Sequence, residues 1–312
     1  MGNLREFTFP SSDGDHTIHG VIWPADGEAV GVVQIVHGIS EYIERYADFA
    51  AFLNTHGYHV VGHDHLGHGH TARGKNEYGC FPEKDGWQTV NRDVRAVRER
   101  AGKWFPDLPY FLLGHSMGSF QARTYLINWP GTLNGCILSG TGQEKAALVA
   151  SGKTISGLLC KLKGSDYVSS LVTALSLGDY NGKFKPNRTS ADWISRDQAV
   201  VDRYVADPLC RFVPTVGMFY AMMEGLQFIG NPKNLKRMDQ NTPVALFSGD
   251  ADPVGGMGKG VERVYQLFRD AGCKQITKTL YSAARHEILN EINRRQVYAD
   301  MLEWMEQHRT VQ

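Results

Sequence analysis

The sequence predicts an α/β protein: a mostly parallel central sheet flanked by helices, with an inserted helical cap. Three observations carry this reading. Through residue 141, short apolar runs rich in valine and isoleucine alternate with amphipathic helical patterns, the rhythm of strand–helix–strand units. From residue 142 to 241 only helical spacing is found. The alternation then resumes at Pro243. Residues 1–141 and 242–312 are therefore read as one core, and 142–241 as an insertion into it.

The elements follow in order. Residues 5–9 and 17–23 flank the turn sequence SSDGD and read as a hairpin. GVVQIVH within 30–37 is a valine-rich run of the kind buried on both faces. Residues 45–56 place Tyr46, Phe49, Ala50 and Leu53 at helical spacing and stop at Gly57. A strand at 58–61 follows. Trp87, Val90, Val94 and Val97 then form one face of a long helix whose other face is charged. A strand at 110–113 runs into GHSMGS, a helix at 120–128 closes before Pro130, and 136–139 is another strand. Inside the insertion, 146–162 and 167–177 are helical and apolar. GDYNGKFKPNRTS is a loop, and 208–228 is dense in methionine and aromatic residues. The last part holds the strand VALFSG, a helix at 261–271, a strand at 276–281 and a final amphipathic helix at 290–308.

Composition excludes several classes. Lys+Arg and Asp+Glu are both 33, so neither a nucleic-acid partner nor a polybasic membrane anchor is expected. No apolar run approaches the ~20 residues that span a bilayer, and the N-terminus lacks a secretory signal pattern. The five cysteines are scattered and never in CxxC spacing. They read as reduced, small buried side chains of a cytoplasmic protein. The sequence is compatible with a homo-oligomer.

The chemistry centres on Gly114-His115-Ser116-Met117-Gly118, a G-x-S-x-G pattern between an expected strand and an expected helix. That context lifts the Ser116 hydroxyl out of the sheet on a tight turn at a helix N-terminus. A serine needs a base, and the base an orienting carboxylate. Only His286 and His308 lie downstream, and His286 sits in a loop after a strand, where a base would stand. After VALFSG, the stretch GDADP offers Asp250 and Asp252. Asp252 is preferred, because a strand-end loop needs a residue or two before its side chain can reach across, whereas Asp250 suits an Asx-type turn. By position, the backbone N–H groups of Met117 and Ile39 are the oxyanion donors.

A second cluster competes for attention: HDHLGHGH at 63–70 suggests a metal site. Its two glycines work against the helix that aligns imidazoles at i and i+4, and no cysteine or second carboxylate lies nearby in sequence. No metal is therefore expected.

With HG at 37–38, GHSMGS at 114–119, GDADP at 249–253 and RHE at 285–287, the chain resembles an α/β-hydrolase. It is most similar to the monoacylglycerol lipase and lysophospholipase branch, also described as serine aminopeptidase-like. The resemblance covers nearly the whole chain and is strongest outside the insertion. The branch pattern HG-x-x-E-H-x-x-R-Y is matched at Glu41, Arg45 and Tyr46 and departs at Tyr42. The branch motif GSAD maps its triad acid onto Asp252. Asp64 to Thr71 matches D-x-x-G-H-G-x-S, which implies a structural loop at the sheet edge.

The resemblance implies hydrolysis of a carboxylic ester, monoacylglycerol or lysophospholipid in type, with no cofactor and with transient contact with lipid surfaces. It places Glu41 and Arg45 near the leaving alcohol; a surface ion pair is the alternative. Leu289 stands where glyceride-cleaving relatives can carry a second histidine. Among the apolar residues of the insertion, Phe212, Met218, Phe219 and Met222, with Leu158, Leu159, Leu171 and Val216, are expected to line an acyl pocket or to pack the cap on itself. Thioesterase and peptidase chemistry use the same three side chains, and a non-catalytic ligand receptor on this fold is the other alternative.

Overall fold

The computed structural model describes residues 4–176 and 180–309. Eight strands form one sheet: β1 (Arg5–Pro10), β2 (Thr17–Trp23), β3 (Gly31–Val36), β4 (Tyr58–His63), β5 (Tyr110–His115), β6 (Gly135–Ser139), β7 (Val244–Gly249) and β8 (Ile276–Tyr281). Their spatial order is β1-β2-β4-β3-β5-β6-β7-β8. β2 pairs antiparallel with β1 and β4, and every other pairing is parallel.

Every residue of β3, β5, β6 and β7 is buried, because helices cover both faces. Successive side chains point to opposite faces. Val33, Ile35, Phe111 and Leu113 meet α1 (Ala47–Asn54) and the C-terminal helix on one side. Val32, Val36 and Leu112 meet α2 (Gly86–Trp104) and α3 (Met117–Asn128) on the other.

Between β6 and β7 the chain forms α4 (Ala146–Lys163), α5 (Ser170–Ser176), α6 (Gln198–Ala206), α7 (Val216–Ile229) and α8 (Pro232–Leu235). α4 packs on α7, and α7 rests on α2 and α3. A glycine makes the α7–α2 contact: a Cβ on Gly225 would enter the Trp87 indole. The chain closes with α9 (Lys259–Asp270) and α10 (Arg294–Gln307). Among the described residues no helix is long and apolar enough to cross a membrane. All five cysteines are free; Cys136, Cys210 and Cys273 are buried, Cys80 and Cys160 only half-buried.

The element boundaries differ from expectation for local reasons. The helix expected at 45–56 is a 3-10 turn, Ile43–Tyr46, followed by α1; the Ile43 N–H donates to the Asp64 carboxylate at 2.8 Å, which starts the turn early. In 208–228 only the part from Val216 is helical, because Pro214 disfavours helix before it and Thr215 caps the start, its hydroxyl accepting from the Met218 N–H at 3.2 Å. The helix expected at 167–177 is confined to α5, and its expected end, Leu177, lies outside the described residues.

Candidate active site

Ser116 sits at the junction of β5 and α3 with φ 53° and ψ −121°, a conformation that costs a non-glycine residue on the order of 1–3 kcal/mol. The neighbouring glycines make the turn sterically feasible. A Cβ on Gly114 would collide with the Gly118 carbonyl, and one on Gly118 with the carbonyls of Val36 and His37. The Ser116 N–H donates to the Ser139 carbonyl at 2.9 Å, and the Ser119 hydroxyl donates to the Ser116 carbonyl at 2.6 Å. Met117 is the first residue of α3, so its N–H has no acceptor within the helix. Ile39 follows the Gly38 turn at the end of β3, and a Cβ on Gly38 would come within 3.0 Å of the Ser116 Cβ. Ser116, Met117 and Ile39 all line one cavity.

The loop after β8 brings His286 to Asp252: Nδ1 lies 3.0 Å from Oδ2, and both residues are buried. Asp252 also accepts the Val254 N–H at 2.8 Å. Asp250 instead accepts the Ala283 N–H at 2.7 Å and closes an exposed turn. The His286 ring lies 4.7 Å from the ring of His115, the residue before Ser116, and 5.1 Å from the Trp193 ring. Burial works against a charged His286. The negative charge and hydrogen bond of Asp252, helped by Glu287 and Glu41, outweigh it and hold the ring above the usual imidazole value.

Glu41 and Arg45, expected near the leaving alcohol or as a surface pair, neither line the cavity nor lie exposed. The Arg45 guanidinium reaches Glu41 at 2.7 Å and grips both oxygens of Glu287 at 2.9 and 2.8 Å. Glu41 also accepts the Gly38 N–H at 2.5 Å and the Tyr46 hydroxyl at 2.9 Å. The Tyr204 ring lies 4.9 Å from the guanidinium carbon. Burial, together with the charge of Glu287, holds the Glu41 carboxyl above its usual range, against Arg45. At Glu287 burial acts the same way, but Arg45 outweighs it and holds that carboxyl low. The cluster thus ties the turn carrying Ile39 to the residue after His286. Sequence reasoning missed Glu287, whose only signal was its place beside the histidine.

The cavity measures about 480 Å³ and is mostly apolar. Leu148, Val149 and Ile155 of α4 and Phe219, Met222, Met223 and Leu226 of α7 form its walls. Tyr180 and Trp193 line it as well, and neither was foreseen. Two expected wall residues are corrected. Met218 turns into the core and is fully buried. Phe212 stacks on Tyr78 at 5.4 Å and meets His68 edge-on at 5.0 Å, away from the cavity. Leu158 and Leu171 are more than half exposed, and Leu159 and Val216 pack against the core.

The histidine-rich loop is a buried structural element. Asp64 accepts the N–H groups of Ile43 and His70, each at 2.8 Å, and lies 3.1 Å from His19 Nδ1. The Thr71 hydroxyl donates to the Asp64 carbonyl at 2.7 Å. The His65 N–H donates to His37 Nε2 at 3.1 Å, and the His68 Nδ1 lies 2.9 Å from the Leu66 carbonyl. Burial pushes His37 down to about 3 and His63 and His68 down to about 4, so all three are neutral near pH 7. Among the described residues no group of three or more His, Cys, Asp or Glu is arranged to hold a metal ion.

Two expectations follow. Arg45→Met leaves two carboxyls facing each other in a buried site and should cost about 3–5 kcal/mol in urea unfolding; a loss below about 1 kcal/mol would mean the cluster behaves as an exposed pair. The buried histidines take up protons near pH 6.5 when unfolded but only near pH 3 to 4 when folded. Stability therefore falls as pH drops from 6.5 toward 4. A urea midpoint series should show that fall, and His63→Phe should flatten it.

A family model described as serine aminopeptidase, S33, matches residues 27–293. The chain is 27% identical over 311 residues to the monoacylglycerol lipase of Mycolicibacterium smegmatis, covering 96% of this chain and 99% of that one. It is 27% identical over 273 residues to human monoglyceride lipase, covering 86% and 80%. A solved thermostable carboxyl esterase from Bacillus coagulans, in complex with glycerol, superposes with a TM-score of 0.91 at 29% identity, covering 99% of this chain and all of that one. The match over most of the chain agrees with the eight-stranded sheet and the serine turn at its centre: the chain belongs to the serine aminopeptidase S33 family and has the α/β-hydrolase fold.

Proposed function

We propose that this protein hydrolyses carboxylic esters with apolar acyl chains, of monoacylglycerol or lysophospholipid type, by acyl transfer through Ser116, His286 and Asp252. One observation carries the reading. A strained serine at a helix N-terminus opens into an apolar cavity, and the ring of the residue before it, His115, packs 4.7 Å from an imidazole that is hydrogen-bonded to a buried aspartate. The monoacylglycerol lipase of Mycolicibacterium smegmatis, similar along its whole length, supports the substrate class.

The mechanism follows from the groups present. Asp252 holds the Nδ1 side of His286, which leaves Nε2 to accept the Ser116 proton. The Ser116 oxygen attacks the ester carbonyl, and the Ile39 and Met117 N–H groups receive the negative oxygen. His286 returns its proton to the departing alcohol, leaving an acyl-serine. Water then attacks that ester, again giving its proton to His286, and Ser116 recovers its proton as the acid leaves. Each oxyanion donor is worth roughly 3 kcal/mol.

The insertion, 142–241, acts as a cap whose α4 and α7 hold the acyl chain. Met222 and Met223 give that wall an adaptable shape. Tyr42 donates to Asp207 at 2.9 Å and Leu289 is buried, and neither departure from the branch pattern lines the cavity. Besides Ser116, polar lining of the cavity comes from Gln143, Glu144, Ser151 and Ser156.

Ser116→Ala should lower turnover on the order of a millionfold and abolish labelling by a fluorophosphonate. Across p-nitrophenyl esters from acetate to palmitate, kcat/KM should rise beyond acetate; a preference for acetate alone would overturn the acyl-pocket reading. The base works only when neutral. Its raised value predicts that kcat/KM climbs with pH through a midpoint above about 6.5. Asp252→Asn should move that midpoint down and cost roughly 10⁴ in turnover.

A further inference from the structure

Arg123 lies on α3, two helical turns beyond Ser116, and is fully buried. No acidic side chain among the described residues bonds its guanidinium. Its Nη1 donates to the Gly142 carbonyl at 3.0 Å. Its Nη2 donates to the Gln143 Oε1 at 2.8 Å and, at 3.4 Å, to the Ile229 carbonyl. Gly142 and Gln143 are the first residues of the insertion, and Ile229 is the last residue of α7. Gln143 completes the tie: its Nε2 donates to the Leu226 carbonyl at 3.2 Å, and its own carbonyl accepts from Arg263 of α9.

A buried cation without a carboxylate is costly, and burial pushes the Arg123 value down to about 9, leaving it charged at neutral pH. The compensation comes from the C-terminal end of α7, where unpaired carbonyls carry the negative pole of the helix. One side chain therefore joins the helix that follows Ser116 to both ends of the cap's cavity wall. Gln143 and Leu226 themselves line the cavity, so displacing the pair reshapes the acyl site directly.

We propose that Arg123, through its bonds to Gly142, Gln143 and Ile229, is the positioning residue that fixes the cap over Ser116 and thereby sets acyl-chain selectivity. The proposal rests on the ester-hydrolase reading for its substrate. Arg123 touches neither the substrate nor the reacting atoms. Losing its bonds frees the insertion's entry and the end of α7 together, which loosens the wall that long chains contact and leaves acetate, which reaches little of it, less affected.

The test uses the full chain with Arg123→Met and Arg123→Lys. For the Met variant, the ratio of kcat/KM for p-nitrophenyl laurate over p-nitrophenyl acetate should fall about tenfold, chiefly through the KM for laurate. The Lys variant, which keeps the charge with fewer directed donors, should recover part of that loss. In parallel, hydrogen exchange of the Lys variant should quicken by about tenfold or more in 142–149 and 224–231, with α2 unchanged. If the Met variant does not fold, the Lys variant decides. Exchange unchanged in both segments of the Lys variant, or a laurate-to-acetate ratio within about twofold of the parent in the folded Met variant, overturns the proposal. If the parent protein cleaves neither ester and resists the fluorophosphonate, the ester-hydrolase reading fails instead, and the exchange data still judge the pin.

Discussion

The first turn of α3 is pressed so closely onto the end of β3 that only a hydrogen fits at position 118, against the Val36 and His37 carbonyls. The rest of the site depends on that contact. It forces Ser116 into a positive-φ turn and points the first free N–H of α3 at the same space. It also sets Gly38 and Ile39, which follow β3 immediately, against the serine. The local strain is on the order of a few kcal/mol at most. It persists because buried strands on both sides of the turn leave it no room to relax.

Charge is distributed by what must be held still. The cavity is mostly hydrocarbon, while the groups around it carry ions held largely out of water: Glu41, Arg45 and Glu287 on one flank, Arg123 on the other, and Asp252 behind His286. Each joins segments distant in sequence. Arg45 links the β3 turn to the β8 loop, and Arg123 links α3 to the chain that follows β6. A buried ion pair adds little net stability over an apolar substitute, but it tolerates displacement poorly, which is the property a preorganised site requires. The four buried imidazoles near β4 differ in kind. Burial keeps them neutral, and they fill the loop at the sheet edge as polar packing.

Local patterns were enough to read most of the architecture. Short continuous apolar runs marked the buried strands, and the glycines flanking Ser116 marked the turn, because those constraints act between neighbours in sequence. That Asp252 and not Asp250 would reach His286 was also legible, since the reach of a carboxylate from a strand end is a local property. The walls of the cavity were not. Phe212, Met218, Phe219 and Met222 look alike as a string of apolar side chains, yet two face the cavity and two do not. Helix α7 begins only at Val216, and its rotation against α2 is set by the contact between Gly225 and Trp87.

The sequence by itself determined the order of the strands along the chain, the tight turn at Ser116 and the chemical identity of the groups around it, because a backbone conformation and an ionisable side chain are properties of short segments. Only the tertiary structure decided which charges become partners. Glu41 and Arg45 look like a helical surface pair until Glu287, from the far end of the chain, buries them. Arg123 looks like an ordinary helix residue until α7 presents its carbonyls. Electrostatic roles depend on distance through space and on the loss of water, and neither is written into the spacing of residues along a chain.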